Sequence, residues 1–122
     1  SIMHEIDAAG TSTSYTLTPE DVDLTTVPFS EIATTGNLQQ ERDRFLDVLR
    51  GRGHEGCVGF TCLNAGAALY VGGLADTIQI GVAQSRAAID SGAAIAKLRS
   101  WVQSQNCMPA EGLATLNAAM GE

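Results

Sequence analysis

Both histidines of this chain, His4 and His54, stand directly before a glutamate. An imidazole beside a carboxylate can help to hold a metal ion or can share a proton, so each pair is a candidate site. The second pair is followed by Cys57 and Cys62, and imidazole and thiolate are the ligands that zinc prefers. A histidine near a cysteine also suggests an activated thiol nucleophile. The two pairs therefore raise metal binding and thiol catalysis as hypotheses.

The spacing around His54 favours a structural role over either chemistry. A cysteine three residues after the histidine and another five residues later match no common zinc pattern. Cys62 falls in an apolar stretch, where cysteine behaves as a small hydrophobic residue. Nothing near this pair supplies a recognisable oxyanion hole or orienting acid. We interpret the segment as a connection between helices, with zinc as the alternative, and the three cysteines of the chain as free thiols.

Length, composition and charge limit the classes of protein to which the chain can belong. The 122 residues, of which 44% are hydrophobic, suffice for one domain with a single core. Fourteen acidic and seven basic side chains give a formal charge of −7, which repels nucleic acid and anionic membrane surfaces. No apolar run reaches the roughly 18 residues that a membrane span needs, and no leader peptide opens the sequence. We therefore expect a cytoplasmic protein without nucleic-acid or membrane partners.

The strand signal of the chain is confined to its first segment, residues 1–37. YTLT at 15–18 alternates apolar and polar residues as a short strand does. In the TPED that follows, Thr18 can cap a helical turn that has Pro19 at its first position. Residues 22–37 are predicted to be an ordered connection. Because a lone short strand is not stable, we expect this segment either to join a sheet formed with other residues or to lie irregularly across the helices.

The second segment, residues 38–104, has the periodicity of helices. The helix predicted over 38–50 is amphipathic and ends at GRG, where glycine permits the left-handed conformation that ends helices. The stretch 59–73 is apolar nearly all round, which predicts a buried helix with close neighbours, and its Tyr70 is interpreted as a structural contact. The buried face predicted for the first of these helices comprises Leu38, Phe45, Leu46 and Leu49.

Further helices are predicted towards the carboxyl end. One runs from Asp76, as N-cap of a capping box with Gln79, to Gly92. The next covers 93–106, and the tail, residues 105–122, adds a short amphipathic helix that begins at a proline. The inward-facing residues predicted for the helix over 93–106 are Ile95, Leu98, Val102 and Trp101. The chain is therefore predicted to be mostly α, with a short strand near its amino end.

Four segments resemble a known family in their order and spacing. The carboxy-terminal region of anthranilate phosphoribosyltransferases carries an N-A-x-x-x-L-Y helix, an A-D-x-x-x-x-G-V helix and an A-I-D-S-G-x-A turn. This region is similar to CLNAGAALYVGGLADTIQIGVAQSRAAIDSGAAIAKLRSW. The family's Y-x-L-T-P-E-D-x-G-L segment is similar to YTLTPEDVDL, and its D-E-I to HEI. The resemblance covers residues 2–102, and the agreement of separate segments in order makes it specific.

A fold, a reaction and partners are implied by this resemblance. The family joins a small helical domain to a larger α/β domain, so the chain would be the carboxy-terminal part of that α/β domain, which its helices complete. The enzymes use Mg²⁺ to bind phosphoribosyl pyrophosphate and pass ribosyl phosphate to the amine of anthranilate, a step of tryptophan biosynthesis. The family's G-T-G-G-D and K-H-G-N segments and its anthranilate-contacting arginine have no counterpart in these 122 residues. The expected partners are therefore the missing amino-terminal half or a second copy in a dimer.

The pair His4-Glu5 falls on the family's metal-binding Asp-Glu pair. The resemblance implies Glu5 as a Mg²⁺ ligand, with His4 as a second candidate ligand. Imidazole is a poor ligand for Mg²⁺, because this ion prefers oxygen. The replacement leaves two alternatives to the family reaction open. One is a relative with a different acceptor or reaction at this pair, and the other is a non-catalytic helical module that binds a partner.

The connection between Glu5 and Tyr15 departs from the family in its length. It is shorter than in the family, which usually has a hairpin there. We expect either that this hairpin is deleted or that a loop is left out of the sequence.

Overall fold

A computed structural model of the chain describes residues 1–105 and 107–122. Residues in those ranges form α-helices and one short antiparallel sheet, which confirms the predicted mostly α architecture. Asn106, at which one predicted helix ends, lies outside the described residues. The elements in chain order are β1 (Ile2–Ile6), β2 (Ser12–Thr16), a 3₁₀ turn (Glu20–Val22), α1 (Phe29–Ile32), α2 (Leu38–Leu49), α3 (Glu55–Val71), α4 (Ile78–Asp90), α5 (Ala93–Gln105) and α6 (Pro109–Met120).

Strands β1 and β2 form a hairpin, so the expectation that a hairpin is deleted between Glu5 and Tyr15 is wrong. The strands pair antiparallel, with Glu5 opposite Thr13. The Asp7 carboxylate accepts two loop N–H groups at 2.8 Å, and Gly10 adopts a φ of +82°. A turn followed by a left-handed glycine is a common three-residue hairpin loop. The local signal for this hairpin is D-A-A-G between two alternating stretches.

The helices enclose two groups of buried side chains. The larger lies between α2, α3, α4 and the 3₁₀ turn, and the smaller joins α2 to α6 with α5 packed against it. The larger group comprises Val22, Val48, Cys57, Val58, Cys62, Ile78, Val82 and Ile89. The smaller comprises Leu46, Leu116 and Met120, with Ile95, Leu98 and Val102 partly buried against them. The chain therefore buries most of the hydrophobic faces that the helical periodicity predicts on α4 and α5. Of the face predicted on α4, which comprises Ile78, Val82, Ala83 and Ile89, only Ala83 is exposed.

Three large residues predicted to face inward are exposed. Leu38 begins α2 and is 87% exposed, Phe45 is 54% exposed, and Trp101 on α5 is 55% exposed. The smaller core takes its α5 residues from Ile95, Leu98 and Val102, and Trp101 lies about 60° beyond Leu98 around the helix, at the edge of that face. The predicted faces are correct at their centres and too wide at their edges.

Helices α3 and α4 cross in backbone contact at two glycines. A Cβ atom placed on Gly66 of α3 would lie 2.5 Å from the backbone nitrogen of Val82 on α4. The corresponding atom on Gly81 would meet the backbone of Gly66. Both glycines are buried. The small residues in the apolar stretch therefore serve close helix packing, as the sequence predicts.

The N-cap of α4 is Thr77, one residue after the predicted Asp76. Thr77 has the extended backbone of a cap, and its Oγ1 accepts the N–H of Ile80 at 3.1 Å. Gln79 does not close a capping box, because its Nε2 donates to the carboxylate of Asp23 at 2.7 Å. The predicted capping box is therefore wrong, and Gln79 instead connects α4 to the end of the 3₁₀ turn.

Glu41, near the amino end of α2, binds the preceding loop through its carboxylate. Its contacts predict that the stability of the fold depends on pH. Its carboxylate accepts the N–H and hydroxyl of Thr35 and pairs with Arg44, and these contacts lower its pKa to about 2. A lowered folded-state pKa stabilises the fold above the usual value of 4.5, and this stabilisation is lost as the pH falls towards 2. We expect Glu41→Gln to melt below the parent chain at pH 7.

The melting temperatures of the parent chain and Glu41→Gln are expected to converge as the pH falls from about 5 towards 2, because the Glu41 carboxylate becomes protonated over this range. Thermal unfolding followed by circular dichroism across this range measures the difference. Glu111→Gln, at an exposed position of the first turn of α6, is the control for removal of one carboxylate. A gap that stays constant with pH would contradict the assignment.

Candidate functional site

A cleft of about 540 Å³ lies between the β1–β2 hairpin and helix α3. The hairpin packs on the helical core through Met3, and Leu17 packs there just after β2. Most of the residues that line the cleft are apolar, and its polar side chains come from β1, from β2 and from the last turn of α3. The cleft is lined by Met3, His4, Glu5, Ile6, Tyr15, Ala67, Tyr70, Val71 and Ile78.

Glu5 faces the helices because of the alternation of β1. Successive side chains of a strand point to opposite faces, and along β1 the residues Met3 and Glu5 are half-buried while Ile2, His4 and Ile6 are exposed. The half-buried face is the one that packs on the helical body. The register of the hairpin therefore fixes which carboxylate of this segment enters the cleft.

Tyr70 of α3 donates its hydroxyl proton to Oε1 of Glu5. The two residues are 65 positions apart, so this bond joins the hairpin to the helical core. The hydrogen bond to the Glu5 carboxylate, together with its negative charge, raises the pKa of the Tyr70 phenol above its ordinary value of 10. The phenol is therefore a protonated donor at neutral pH, and the Glu5 carboxylate is its acceptor.

His4 takes part in a separate contact. Its Nδ1 lies 2.8 Å from Oγ of Ser14, its cross-strand partner on β2. Because neighbouring residues of a strand alternate in direction, the imidazole of His4 and the carboxylate of Glu5 point away from each other. His4 borders the cleft, yet only its Nε2 remains without a contact in the described part of the chain. The structure therefore does not bring the two side chains of this pair to one point.

Glu5 has the chemistry of a magnesium ligand. Mg²⁺ takes oxygen ligands, keeps several waters, and is bound in many proteins by one or two carboxylates together with substrate phosphates. Among the described residues no hydrogen bond occupies Oε2 of Glu5, so this oxygen is available to an ion. A nitrogen donor on the opposite face of the strand suits Mg²⁺ poorly. The donor set of the cleft thus fits one carboxylate contact, with the remaining oxygens supplied from elsewhere.

The residues around His54 have structural contacts. His54 is the N-cap of α3, where its Nδ1 accepts the N–H of Gly56 at 3.2 Å, and its Nε2 lies 3.5 Å from a carboxylate oxygen of Glu31. The thiol of Cys57 donates to the carbonyl oxygen of Glu31 at 3.6 Å. Cys62 is fully buried, and burial raises the pKa of its thiol. These contacts support a helix start in place of a zinc or thiol site.

The described residues also show the state of the cysteines, the grouping of possible metal ligands and the length of the apolar helices. Cys57, Cys62 and Cys107 are free thiols, as predicted. Within residues 1–105 and 107–122, no three His, Cys, Asp or Glu side chains come together in a group that could hold a metal ion. In the same ranges, no helix is long and apolar enough to cross a membrane.

The TPED segment forms a turn fixed by its own side chains. The Asp21 carboxylate accepts the N–H of Thr18 at 2.7 Å and its hydroxyl at 2.8 Å, which lowers the pKa of Asp21. Glu20 accepts the N–H of Thr26 at 3.1 Å, and hydrogen bonds from Thr26 also lower its pKa. The predicted helical turn is confirmed, although the hydrogen bonds run from Thr18 to Asp21 rather than from a threonine cap.

Comparison with known proteins identifies the family of this chain. A family model described as "Glycosyl transferase family, a/b domain" matches residues 1–95. The chain belongs to this family. The match contains the hairpin, Glu5, Tyr70 and all of α4, so the elements that build the cleft are family elements.

Curated relatives of the chain are named anthranilate phosphoribosyltransferase. The protein of Paracidovorax citrulli is 38% identical over 103 residues, which cover 84% of this chain and 29% of the relative. That of Haloferax volcanii is 45% identical over 85 residues, 70% of this chain and 25% of the relative. The chain therefore matches between a quarter and three-tenths of the length of these relatives. No solved structure matches the chain significantly.

Tyr70 is the residue of the cleft whose role sequence reasoning missed. Its position in the N-A-x-x-x-L-Y segment predicts a structural contact, and the structure shows the donor to Glu5. Asn64, in the same segment, donates to the carbonyl oxygen of Phe60 at 2.8 Å, a bond within one turn of α3. A phenol near the end of a helix that packs under a strand was the available signal, but the pairing partner depends on the hairpin register.

Proposed function

We propose that the complete protein containing this chain is a phosphoribosyltransferase that passes ribosyl phosphate from phosphoribosyl pyrophosphate to the amine of anthranilate. The observation that carries this proposal is the family match over residues 1–95, with relatives named for that activity. The pathway served would be tryptophan biosynthesis, in the cytoplasm. The half-buried carboxylate of Glu5 at a cleft supports the proposal, because carboxylate oxygen is the donor that Mg²⁺ prefers.

In this proposal Glu5 helps to hold Mg²⁺ through Oε2. When bound, the ion would neutralise the pyrophosphate that leaves the anomeric carbon. Tyr70 keeps Oε1 engaged, so one carboxylate oxygen is left for the ion. His4 is the second candidate ligand through Nε2, and its bond to Ser14 fixes the ring on the other face of the strand. Glu5 is therefore the principal metal contact.

The proposed partners of this chain are the remaining parts of such a transferase and a second copy. The cleft has no Lys or Arg among its lining residues to pair with phosphate groups, and the formal charge of the whole chain is −7. Backbone N–H groups and cations for the phosphates would come from segments that the relatives have beyond the matched region. Phe60 and Val71 of α3 are exposed apolar residues that such segments, or a second copy in a dimer, could cover.

A segment exchange tests the proposed function. The matching 103-residue segment of the Paracidovorax citrulli relative is replaced by this chain, and the hybrid is expressed in a bacterial strain that lacks its own anthranilate phosphoribosyltransferase. We expect growth without tryptophan. The relative with its own segment is the positive control, and the relative with the segment deleted is the negative control.

Two alternative functions predict a different result of the exchange. A non-catalytic module derived from the family, or a relative with another acceptor or reaction at His4 and Glu5, would give a folded hybrid at normal abundance without growth. The observation that favours these alternatives is the imidazole in place of the first family carboxylate. Growth of the hybrid would exclude both as the main function.

The 122 residues alone are expected not to bind phosphoribosyl pyrophosphate. The cleft offers one carboxylate and no Lys or Arg among its lining residues, so most of the charge of the phosphate and pyrophosphate groups would stay uncompensated. Isothermal titration calorimetry with and without Mg²⁺ measures the binding. Micromolar binding by this chain alone would contradict the proposal that other segments supply the phosphate-binding groups. The same titration of the hybrid enzyme is the positive control.

A further inference from the structure

The bond between Tyr70 and Glu5 joins two elements that have few other polar links. It runs from the last turn of the 17-residue α3 to the fourth residue of β1. The hairpin otherwise rests on the helical body through apolar contacts such as those of Met3. Apolar contacts hold the strand against the helix, but they do not fix the rotamer of the Glu5 side chain. The hydrogen bond from the Tyr70 hydroxyl fixes the position of its carboxylate.

We propose that Tyr70 is a positioning residue for Glu5, which fixes the carboxylate so that its second oxygen faces a bound divalent cation. This inference rests on the metal role of Glu5 in the proposed function. A donor that engages one oxygen of a ligating carboxylate orients the ligand, and outer-shell bonds of this kind tune metal affinity. Tyr70 does not touch the ion, so its effect passes through Glu5 alone.

The second phenol of the cleft provides a matched control. Tyr15 lines the same cleft from β2 and pairs across the hairpin with Met3. Among the described residues, no hydrogen bond joins its hydroxyl to Glu5, whereas that of Tyr70 makes one. Tyr15→Phe and Tyr70→Phe remove the same atom from the same cavity. Only the second is expected to affect a metal bound to Glu5.

The experiment follows Mn²⁺, as a paramagnetic probe for Mg²⁺, on the ¹⁵N-labelled 122-residue chain. The signal of the Thr13 amide reports on the site, because Thr13 is opposite Glu5 in the hairpin. Paramagnetic broadening does not need tight binding, and the part of it at Thr13 that Glu5→Gln removes reports an ion at Glu5. Tyr70→Phe is expected to raise the Mn²⁺ concentration for half-broadening about tenfold, as loss of an outer-shell partner does. Tyr15→Phe is expected to leave that concentration unchanged.

A double-mutant cycle separates positioning from a structural role. In a Glu5→Gln background, Tyr70→Phe should have no further effect on broadening at Thr13, because the carboxylate that it positions is gone. Equal affinity of Tyr70→Phe and the parent chain, with loss in Glu5→Gln, would overturn the positioning role and leave the metal role intact. Broadening that Glu5→Gln does not change would instead overturn the metal role in the proposed function.

Folding of the variants is checked by thermal unfolding. Phenylalanine keeps the ring of Tyr70, so the packing at the end of α3 is expected to persist. Should Tyr70→Phe not fold, Glu5→Asp tests the same bond, because its shorter side chain draws the carboxylate away from the phenol. Glu5→Asp is expected to weaken Mn²⁺ binding about tenfold as well. Binding equal to that of the parent chain would overturn the inference.

Discussion

Gly66→Ala is expected to destabilise the fold by about 3 kcal/mol, at the upper end of the usual cost of overpacking. The added methyl would lie 2.5 Å from the backbone nitrogen of Val82, and backbone cannot move aside as a flexible side chain can. The two helices must separate, which disturbs the core that they share. For a domain of this size the loss corresponds to a fall in melting temperature of about 12 °C.

Gly59→Ala is the matched control for this prediction. Gly59 is also buried in α3, but a Cβ atom there would meet only the side chain of Leu24, at 3.5 Å. Alanine favours the helix over glycine by about 1 kcal/mol, so this variant is expected to be neutral or slightly more stable. Chemical denaturation of both variants gives the two free energies of unfolding. Equal stability of Gly66→Ala and the parent chain would contradict the backbone contact between α3 and α4.

Glu5→Gln in the hybrid transferase is expected to raise the half-saturating Mg²⁺ concentration by at least about tenfold, the lower range for loss of even an outer-shell partner. The amide keeps the shape of the side chain and can still accept from Tyr70, but it removes the negative charge that Mg²⁺ prefers. His4→Asp is expected to change the half-saturating concentration much less, because the side chain at position 4 points to the opposite face of β1 from Glu5. Initial rates against Mg²⁺ concentration measure both shifts.

The control for the metal prediction is Glu111→Gln, which removes one carboxylate from α6, outside the family match. Its Mg²⁺ dependence should equal that of the unaltered hybrid. If Glu5→Gln and His4→Asp both leave the Mg²⁺ curve unchanged, the metal assignment of this pair fails, whatever the activity of the hybrid.

The helices could be predicted because their signals are local. The amphipathic pattern of α2, the glycine at its end and the proline that begins α6 all act within a few residues. The widths of the buried faces could not be predicted, since they depend on which neighbour covers each helix. Trp101 is exposed because the packing of α5 against the smaller core centres on other residues of the helix.

In the candidate site, too, one residue could be identified from local sequence and the other only from the fold. Glu5 was found from its place in a family segment, and the alternation of a strand explains why it faces the cleft. Its partner Tyr70 lies 65 residues away, so the pairing depends on a hairpin register and a helix position that no local pattern specifies. The chemistry of single residues was predictable, and their assembly required the fold.

The most direct test of the account is the reaction itself, measured with purified hybrid transferase carrying this chain. The loss of anthranilate fluorescence is followed after addition of phosphoribosyl pyrophosphate, with Mg²⁺ and then with the metal removed by a chelator. The account predicts metal-dependent consumption of anthranilate and a product whose mass equals anthranilate plus a ribosyl phosphate group. A folded hybrid that consumes no anthranilate at saturating Mg²⁺, while the unaltered relative does, would contradict it.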